Sequence, residues 1–419
     1  MHAWSLASLR EAAVAAIFLA CYFVFAAGRL PGTRIGRAAA AGIGALLMIA
    51  VGALPGAALR QAIDVPTLTL LFAMMVVVAA LYRAGVFAWI AAAVVARVRP
   101  GRLLPAVVFT SGLLSAFLVN DIVCLVLAPL VLEAARALRR DPVVYLLALA
   151  IASNIGSAAT ITGNPQNILI GSVSGIGYRD FLWHLGPVAA LGLCIAWGWL
   201  RRLEPAAAPV AGAAPESPLL AAALPAGAAR LDRAALPSIA VVGLVLAGFL
   251  LGLPPAWVAA AGAAALLLAQ PRAAWRLLRD VDWGLLLLFL GLFLIIGGAR
   301  DAGLLAPLAR WSASGALRHA AVFTTLVAVL SNLVSNVPAV MLLKAPVAHL
   351  AHPHRAWLLL AMASTLAGNL TLTGSIANLI VVERVRSQTQ IGFWRYFRAG
   401  FPIAVLTLAA GAVWLSFFA

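Results

Sequence analysis

Apolar stretches long enough to cross a lipid bilayer follow one another from residue 11 to residue 417. A spanning helix needs about 20 such residues, and in hydrocarbon each backbone polar group must find its partner within the protein. The pattern therefore specifies an all-α, polytopic integral membrane protein. Composition agrees: 64% of the 419 residues are hydrophobic and 10% are charged, against about 45–50% and about 25% in a soluble domain. Disordered, collagen-like and disulfide-scaffold folds are excluded. Spans are expected near 11–28, 36–53, 65–82, 142–175 and 181–200, and again near 237–252, 255–270, 283–298, 356–383 and 398–417. The run 11–28 has the look of a signal peptide, but removing it would break the symmetry described below.

The net charge is +16. Lys344 is the only lysine, and the 28 arginines sit at the ends of apolar runs instead of in one patch. That is a topology signal and not a nucleic-acid surface. With the Arg29/Arg34/Arg37 loop cytoplasmic, 21 arginines fall inside and seven outside. This places both termini outside the plasma membrane (the inner membrane of a bacterium). Cys21, Cys124 and Cys194 lie within apolar stretches and form no CxxC, so neither disulfides nor a thiolate metal site is expected.

The charge bias holds only if Arg102 and Arg136 share a side. Residues 103–136 then form a re-entrant hairpin entered from the cytoplasm, and 319–349 form one entered from outside. Each half has five spans and one hairpin. Five is odd, so the second half is inverted relative to the first, the plan of secondary transporters. The repeats are 1–202, with broken helix 142–175, and 237–419, with broken helix 356–383. An Ala/Pro-rich cytoplasmic linker, 203–236, joins them.

A polar motif inside the apolar runs is duplicated. Ala152, Ser153, Thr160, Thr162, Gly163 and Asn167 recur without a gap as Ala363, Ser364, Thr371, Thr373, Gly374 and Asn378. Leu-Ser-x-x-x-x-Asn at 114–120 recurs at 330–336. Gly163-Asn164-Pro165 suits the end of one half-helix and the start of another, with Asn164 as N-cap. Hairpin tips at Val119-Asn120-Asp121 and Ser335-Asn336-Val337 start helices too. Four N-termini meeting at mid-membrane favour an anion, while unwound carbonyls and Ser, Thr and Asn oxygens favour a small cation. The candidate ligands are Asn120, Asp121, Ser153, Asn154, Thr160, Thr162, Gly163, Asn164, Asn167, Ser335, Asn336, Ser364, Thr371, Thr373, Gly374 and Asn378. A sodium ion is expected near Asn120, Gly163, Asn336 and Gly374.

These motifs resemble the ion transporter superfamily, which includes arsenite permeases, D-type sodium–proton antiporters, the melanosomal P protein and divalent-anion (citrate-transporter-like) symporters. The resemblance covers both halves. It is nearest the arsenite permease branch, through Ser331-Asn332-Leu333-Val334-Ser335-Asn336-Val337-Pro338 and Gly163-Asn164-Pro165-Gln166-Asn167. It implies a scaffold domain, a transport domain of hairpins and broken helices, and substrate and coupling ion at the tips. A separate ATPase subunit is a further implied partner. The tips depart from the symporter pattern: Val119-Asn120-Asp121 replaces Ser-Asn-Thr, and Val337 stands where Thr is usual. Loss of these hydroxyls argues against a dicarboxylate.

The expected function is a secondary active permease for arsenite or another small inorganic or organic anion, coupled to protons or sodium by alternating access. A sodium–proton antiporter is the alternative; an intramembrane enzyme and a channel are remote ones. No Walker motif, nucleophile–base pair or HExxH is present, and no cofactor beyond H+ or Na+ is expected. Lipid is a partner, a homodimer is allowed, and nucleic acid is not a partner. Asp121 has two readings, an N-cap of the returning arm or the coupling carboxylate. Lys344 is either a snorkelling residue near the outer interface or an ammonium facing the site and partnering Asp121. His349, His352 and His354 beside Arg355 read as an external loop, and His184 and Cys124 as packing residues.

Overall fold

The computed structural model describes residues 6–97, 100–138, 140–204, 235–313 and 319–419. Nearly all of the predicted linker, and Arg99, Arg139, Arg230, Arg233 and Arg318, lie outside the described residues. Within them the chain is helical, with no strand and one isolated antiparallel bridge, Arg29–Gly36.

The first half runs α1 (Leu6–Ala27), α2 (Arg37–Ala50), α3 (Gly56–Ala62), α4 (Val65–Arg83), α5 (Val86–Arg97), α6 (Leu103–Phe117), α7 (Asn120–Ala137), α8 (Pro142–Ser157), α9 (Pro165–Val173) and α10 (Tyr178–Leu203). The second runs α11 (Leu236–Leu250), α12 (Pro255–Ala269), α13 (Pro271–Arg279), α14 (Trp283–Asp301), α15 (Ala306–Ala313), α16 (Ala320–Val334), α17 (Asn336–Ala348), α18 (Pro353–Leu366), α19 (Ile376–Val385) and α20 (Phe393–Phe418).

Five helices are long and apolar enough to cross a membrane unaided: α1, α4, α10, α14 and α20. The spans expected at 36–53, 237–252 and 255–270 emerge as helices of 14, 15 and 15 residues. Local chemistry sets their ends. Gly52 and Gly252 take positive φ, and the residues after them donate back to Met48 and Gly248. This is the glycine stop of a helix C-terminus. Pro254 then sets the entry to α12.

The halves interlock. α2 packs along α14, and α12 packs along α4, so each half contributes to the other's scaffold. α10 and α20 lie against one another. The N-terminal run belongs to this body: Tyr22 donates to the Pro338 carbonyl at 3.2 Å, and α1 packs on α2, α14 and α16. Leu46, Leu244, Trp257 and Leu268 are largely exposed, an apolar exterior that suits lipid and not water.

The hairpins are α6/α7 and α16/α17. Their tips are tighter than the sequence suggests. Only Leu118 and Val119 separate α6 from α7, and only Ser335 separates α16 from α17. α6 lies against α8 so closely that a Cβ on Gly156 would stand 1.9 Å from the Gly112 carbonyl oxygen. No side chain larger than hydrogen fits at that crossing.

Candidate functional site

Two helices of the bundle are broken, α8/α9 and α18/α19, and the breaks match in detail at a constant offset of 211 residues. Thr160 leaves α8 at φ −135°, ψ 165°, and Thr371 leaves α18 at φ −136°, ψ 159°. A short 3-10 turn follows each, Ile161–Gly163 and Leu372–Gly374. Asn164 caps α9 by accepting from the Asn167 N–H, and Ser375 caps α19 by accepting from the Ala377 N–H.

Broken helices leave carbonyls without partners. Asn167 Nδ2 donates to the carbonyls of Ser157 and Thr160, at 3.1 and 3.0 Å. Asn378 Nδ2 donates to those of Gly368 and Thr371, at 2.8 and 3.2 Å. The acceptors obey the same offset as the donors. Both asparagines are fully buried, and their amides hold the breaks open. A Cβ on Gly163 would lie 2.2 Å from the Ser157 carbonyl oxygen, so glycine is required for the turn to close.

Asn154 joins the halves. Its Nδ2 donates to Asn369 Oδ1 and Asn378 Oδ1, both at 2.9 Å, and its Oδ1 accepts from Asn120 Nδ2 at 3.1 Å and Ser375 Oγ at 2.9 Å. Thr365 occupies the equivalent place in the second half. It accepts from Asn164 Nδ2 at 3.1 Å and donates to Asn167 Oδ1 at 3.4 Å.

Each tip is tied to a break. Ser153 Oγ pairs with Ser115 at 2.7 Å and donates to the Asn120 carbonyl at 3.3 Å. Asn336, with its amide NH2 facing carbonyls, donates to Ser364 O at 3.2 Å and Gly374 O at 3.3 Å. Thr160 bonds the Ala116 carbonyl, and Thr371 bonds Asn332 Oδ1 at 3.0 Å. Thr162 pairs with the Tyr178 hydroxyl at 3.0 Å, while Thr373 pairs with Thr371 at 3.5 Å. Ser364 Oγ turns to the Ala361 carbonyl.

Two features distinguish groups that are spent on structure from groups that remain free. Asn120 Oδ1 is buried without a hydrogen-bond partner among the described residues. The helices α7 and α17 also have no side-chain cap, unlike α9 and α19, so the cap residue's side chain leaves their first N–H groups untouched. Ser335 adds strain. At φ 76°, ψ 157° it occupies a region that is essentially glycine-only and costs about 1–3 kcal/mol.

Several expectations are corrected. Asp121 is not a cap: Val119 holds that position, and Asp121 lies in the first turn of α7. Lys344 does not partner Asp121. Its Nζ lies 5.4 Å from the Phe293 ring centroid and lines a cavity of about 260 Å3 together with Arg300 and Met341. Eight residues of helix, about 12 Å, separate it from Asn336. His354 is not merely part of a loop cluster, since it bonds Asp180 at 2.7 Å and stacks edge-on against His184. Asn369, Thr365, Ser157, Asn332 and Tyr178 are network members that the duplicated motif did not reveal.

The family described as "Citrate transporter" matches residues 21–367. The silicon efflux transporter LSI3 of Oryza sativa subsp. japonica is 33% identical, over 97% of this chain and 98% of that protein. A putative transporter of Dictyostelium discoideum, arsB, is 24% identical over 90% of this chain and 86% of its own length. Among solved structures, MtrF of Neisseria gonorrhoeae, described as illuminating a class of antimetabolite efflux pumps, superposes with a TM-score of 0.63 at 11% identity. That match covers 98% of this chain and 94% of MtrF, and it shows the fold.

Proposed function

Because the chain belongs to the citrate transporter family, and is a membrane transporter and not an enzyme, we propose that it is a secondary active permease. Its substrate is arsenite or another small anion, driven by a proton or sodium gradient through alternating access. The observation that carries this reading is the division of labour at the tips. The breaks are saturated by their own asparagines, whereas the tips keep uncapped N-termini and the orphan Asn120 Oδ1.

The two tips differ in charge. α7 has Asp121 in its first turn and α17 has no acid there. A carboxylate and an orphan amide oxygen in the same first turn suit a cation or proton. An N-terminus without an acid suits an anion or a hydroxylated oxyacid. The amides and hydroxyls around both tips bring no basic side chain, which favours a solute of low charge over a dicarboxylate. The names of two relatives, one for silicon efflux and one of the arsB type, are in keeping with such a solute. Inversion of the second half, with sodium near Asn120 and Asn336, belongs to the same proposal. Asp121, whose carboxylate makes no hydrogen bond or ion pair among the described residues, favours sodium–proton antiport as the second reading.

The test is transport into proteoliposomes, with arsenite, sulfate, phosphate, citrate and sodium offered under imposed proton or sodium gradients. Accumulation of arsenite or one small anion is expected. Asp121→Asn keeps the shape and removes the charge, so it should abolish gradient-driven accumulation while sparing gradient-free exchange. Sodium–proton exchange with no anion moved would establish the antiporter reading instead. Undiminished accumulation by Asp121→Asn, with the same ion dependence, would move the coupling role elsewhere.

A further inference from the structure

Away from the tips, three potential metal ligands from two distant parts of the chain converge. Asp180 and His184 are one turn apart near the start of α10, and His354 is the second residue of α18. His184 Nδ1 lies 3.0 Å from Asp180 Oδ1, and His354 Nε2 lies 2.7 Å from Asp180 Oδ2. One ligand atom from each of the three falls within 4.8 Å of the others. The imidazoles meet edge-to-face with ring centroids 5.3 Å apart.

We propose that Asp180, His184 and His354 form a binding site for a divalent transition ion of the zinc class. Two imidazoles and one carboxylate make a borderline donor set, which selects zinc, cobalt, nickel or copper over calcium or magnesium. Tetrahedral zinc, with bonds of about 2.0–2.2 Å, sets ligand atoms about 3.4 Å apart. The two carboxylate–imidazole separations, 3.0 and 2.7 Å, are a little shorter than that value, so small side-chain rotations open them to it. Asp180 and His354 are half exposed and His184 is mostly buried, which gives an ion access from solvent and one fixed anchor. Three protein ligands leave the fourth position to water. His184 Nδ1 also bonds the Asp180 backbone carbonyl at 2.9 Å; binding exchanges this bond and the His354–Asp180 hydrogen bond for coordinate bonds and requires both ligating nitrogens unprotonated. Arg179 and Arg355 flank the ligands in sequence and oppose any cation, so coordination and not the local field must supply the affinity.

The site joins helices that are far apart in the chain. The Trp414 indole on α20 donates to the His184 carbonyl at 3.0 Å, so an ion here staples one end of α10, α18 and α20. An occupied site raises the thermal midpoint by mass action.

The experiment uses the full chain in detergent, purified without a histidine tag, stripped with chelator and titrated with ZnCl2. One zinc per chain is expected, with a rise in Tm. His354→Gln, at a half-exposed first-turn position, and Asp180→Asn should each weaken binding at least tenfold and remove the Tm rise. Cobalt should give visible absorption bands in the parent protein that are lost in His354→Gln. The double variant His349→Gln/His352→Gln should bind as the parent does. Absence of stoichiometric zinc, or parent-like binding by His354→Gln, would overturn the proposal. So would loss of binding confined to the His349/His352 variant.

Discussion

At the scale of single residues, the asparagines divide into two kinds. Asn167 and Asn378 each hold two carbonyls that a helix break has orphaned. Leaving a buried acceptor unsatisfied costs about 1–3 kcal/mol. Asn167→Ala and Asn378→Ala should therefore each lower stability by about 2 kcal/mol or more, by similar amounts, as read from thermal unfolding in detergent. An unchanged midpoint at either position would show that water replaces the amide without loss. These two residues act through the backbone, which leaves the proposed contact with an ion to the tip asparagines Asn120 and Asn336.

At the scale of elements, the contact of α6 with α8 is set by two glycines. A methyl group on Gly156 would stand 1.9 Å from the Gly112 carbonyl oxygen, and the obstacle is backbone, which cannot rotate aside. Gly156→Ala should separate the first hairpin from the broken helix, costing about 1–3 kcal/mol or more. It should also lower transport, because Ser153 would lose its reach to Asn120. A variant with parental unfolding temperature and transport would show that α6 can slide without cost. The duplicated motif made the breaks legible in the sequence, because identical residues recurred at one offset. It did not reveal Thr365, because the residue aligned with it is Asn154: the position is polar in both halves but identical in neither. Asn369 aligns with Ala158 and has no twin to find. The rotation of α17 about its axis was equally hidden, since packing on Phe293 decides where Lys344 points. The break at Gly252 was legible as the gap between two expected spans, whereas the helix from 37 stops at Ala50, short of the expected 53, because Gly52 turns the chain.

At the scale of the whole molecule, the arginine side-chain contacts gather at the ends of the helices. Arg83 grips Asp280 with two bonds, at 2.5 and 2.9 Å, Arg136 bonds Gln388, and Arg395 bonds Asp141. All of these arginines belong to the set that the charge bias assigns to the cytoplasm. The Asp180–His184–His354 group lies in segments that the same bias assigns to the other side. Single cysteines at Arg140 and Ala351, which follow the first and second hairpins at the same 211-residue offset, should therefore label from opposite faces of the membrane with an impermeant maleimide. Labelling of both from one face would sink the inverted arrangement.

The side chain that joins the two halves also sets a timetable. Asn154 donates to Asn369 and Asn378, which are 215 and 224 residues further along the chain. At about 5–20 residues per second, those acceptors are synthesised roughly 10–45 s after Asn154. During that interval the amide hydrogens of Asn154 have only water or transient neighbours. The first broken helix must therefore wait, hydrated, in or beside the bilayer until the second is made. A ribosome paused between the halves would hold a half-built transporter with its most polar segment unshielded, the stage at which membrane quality control has most to recognise.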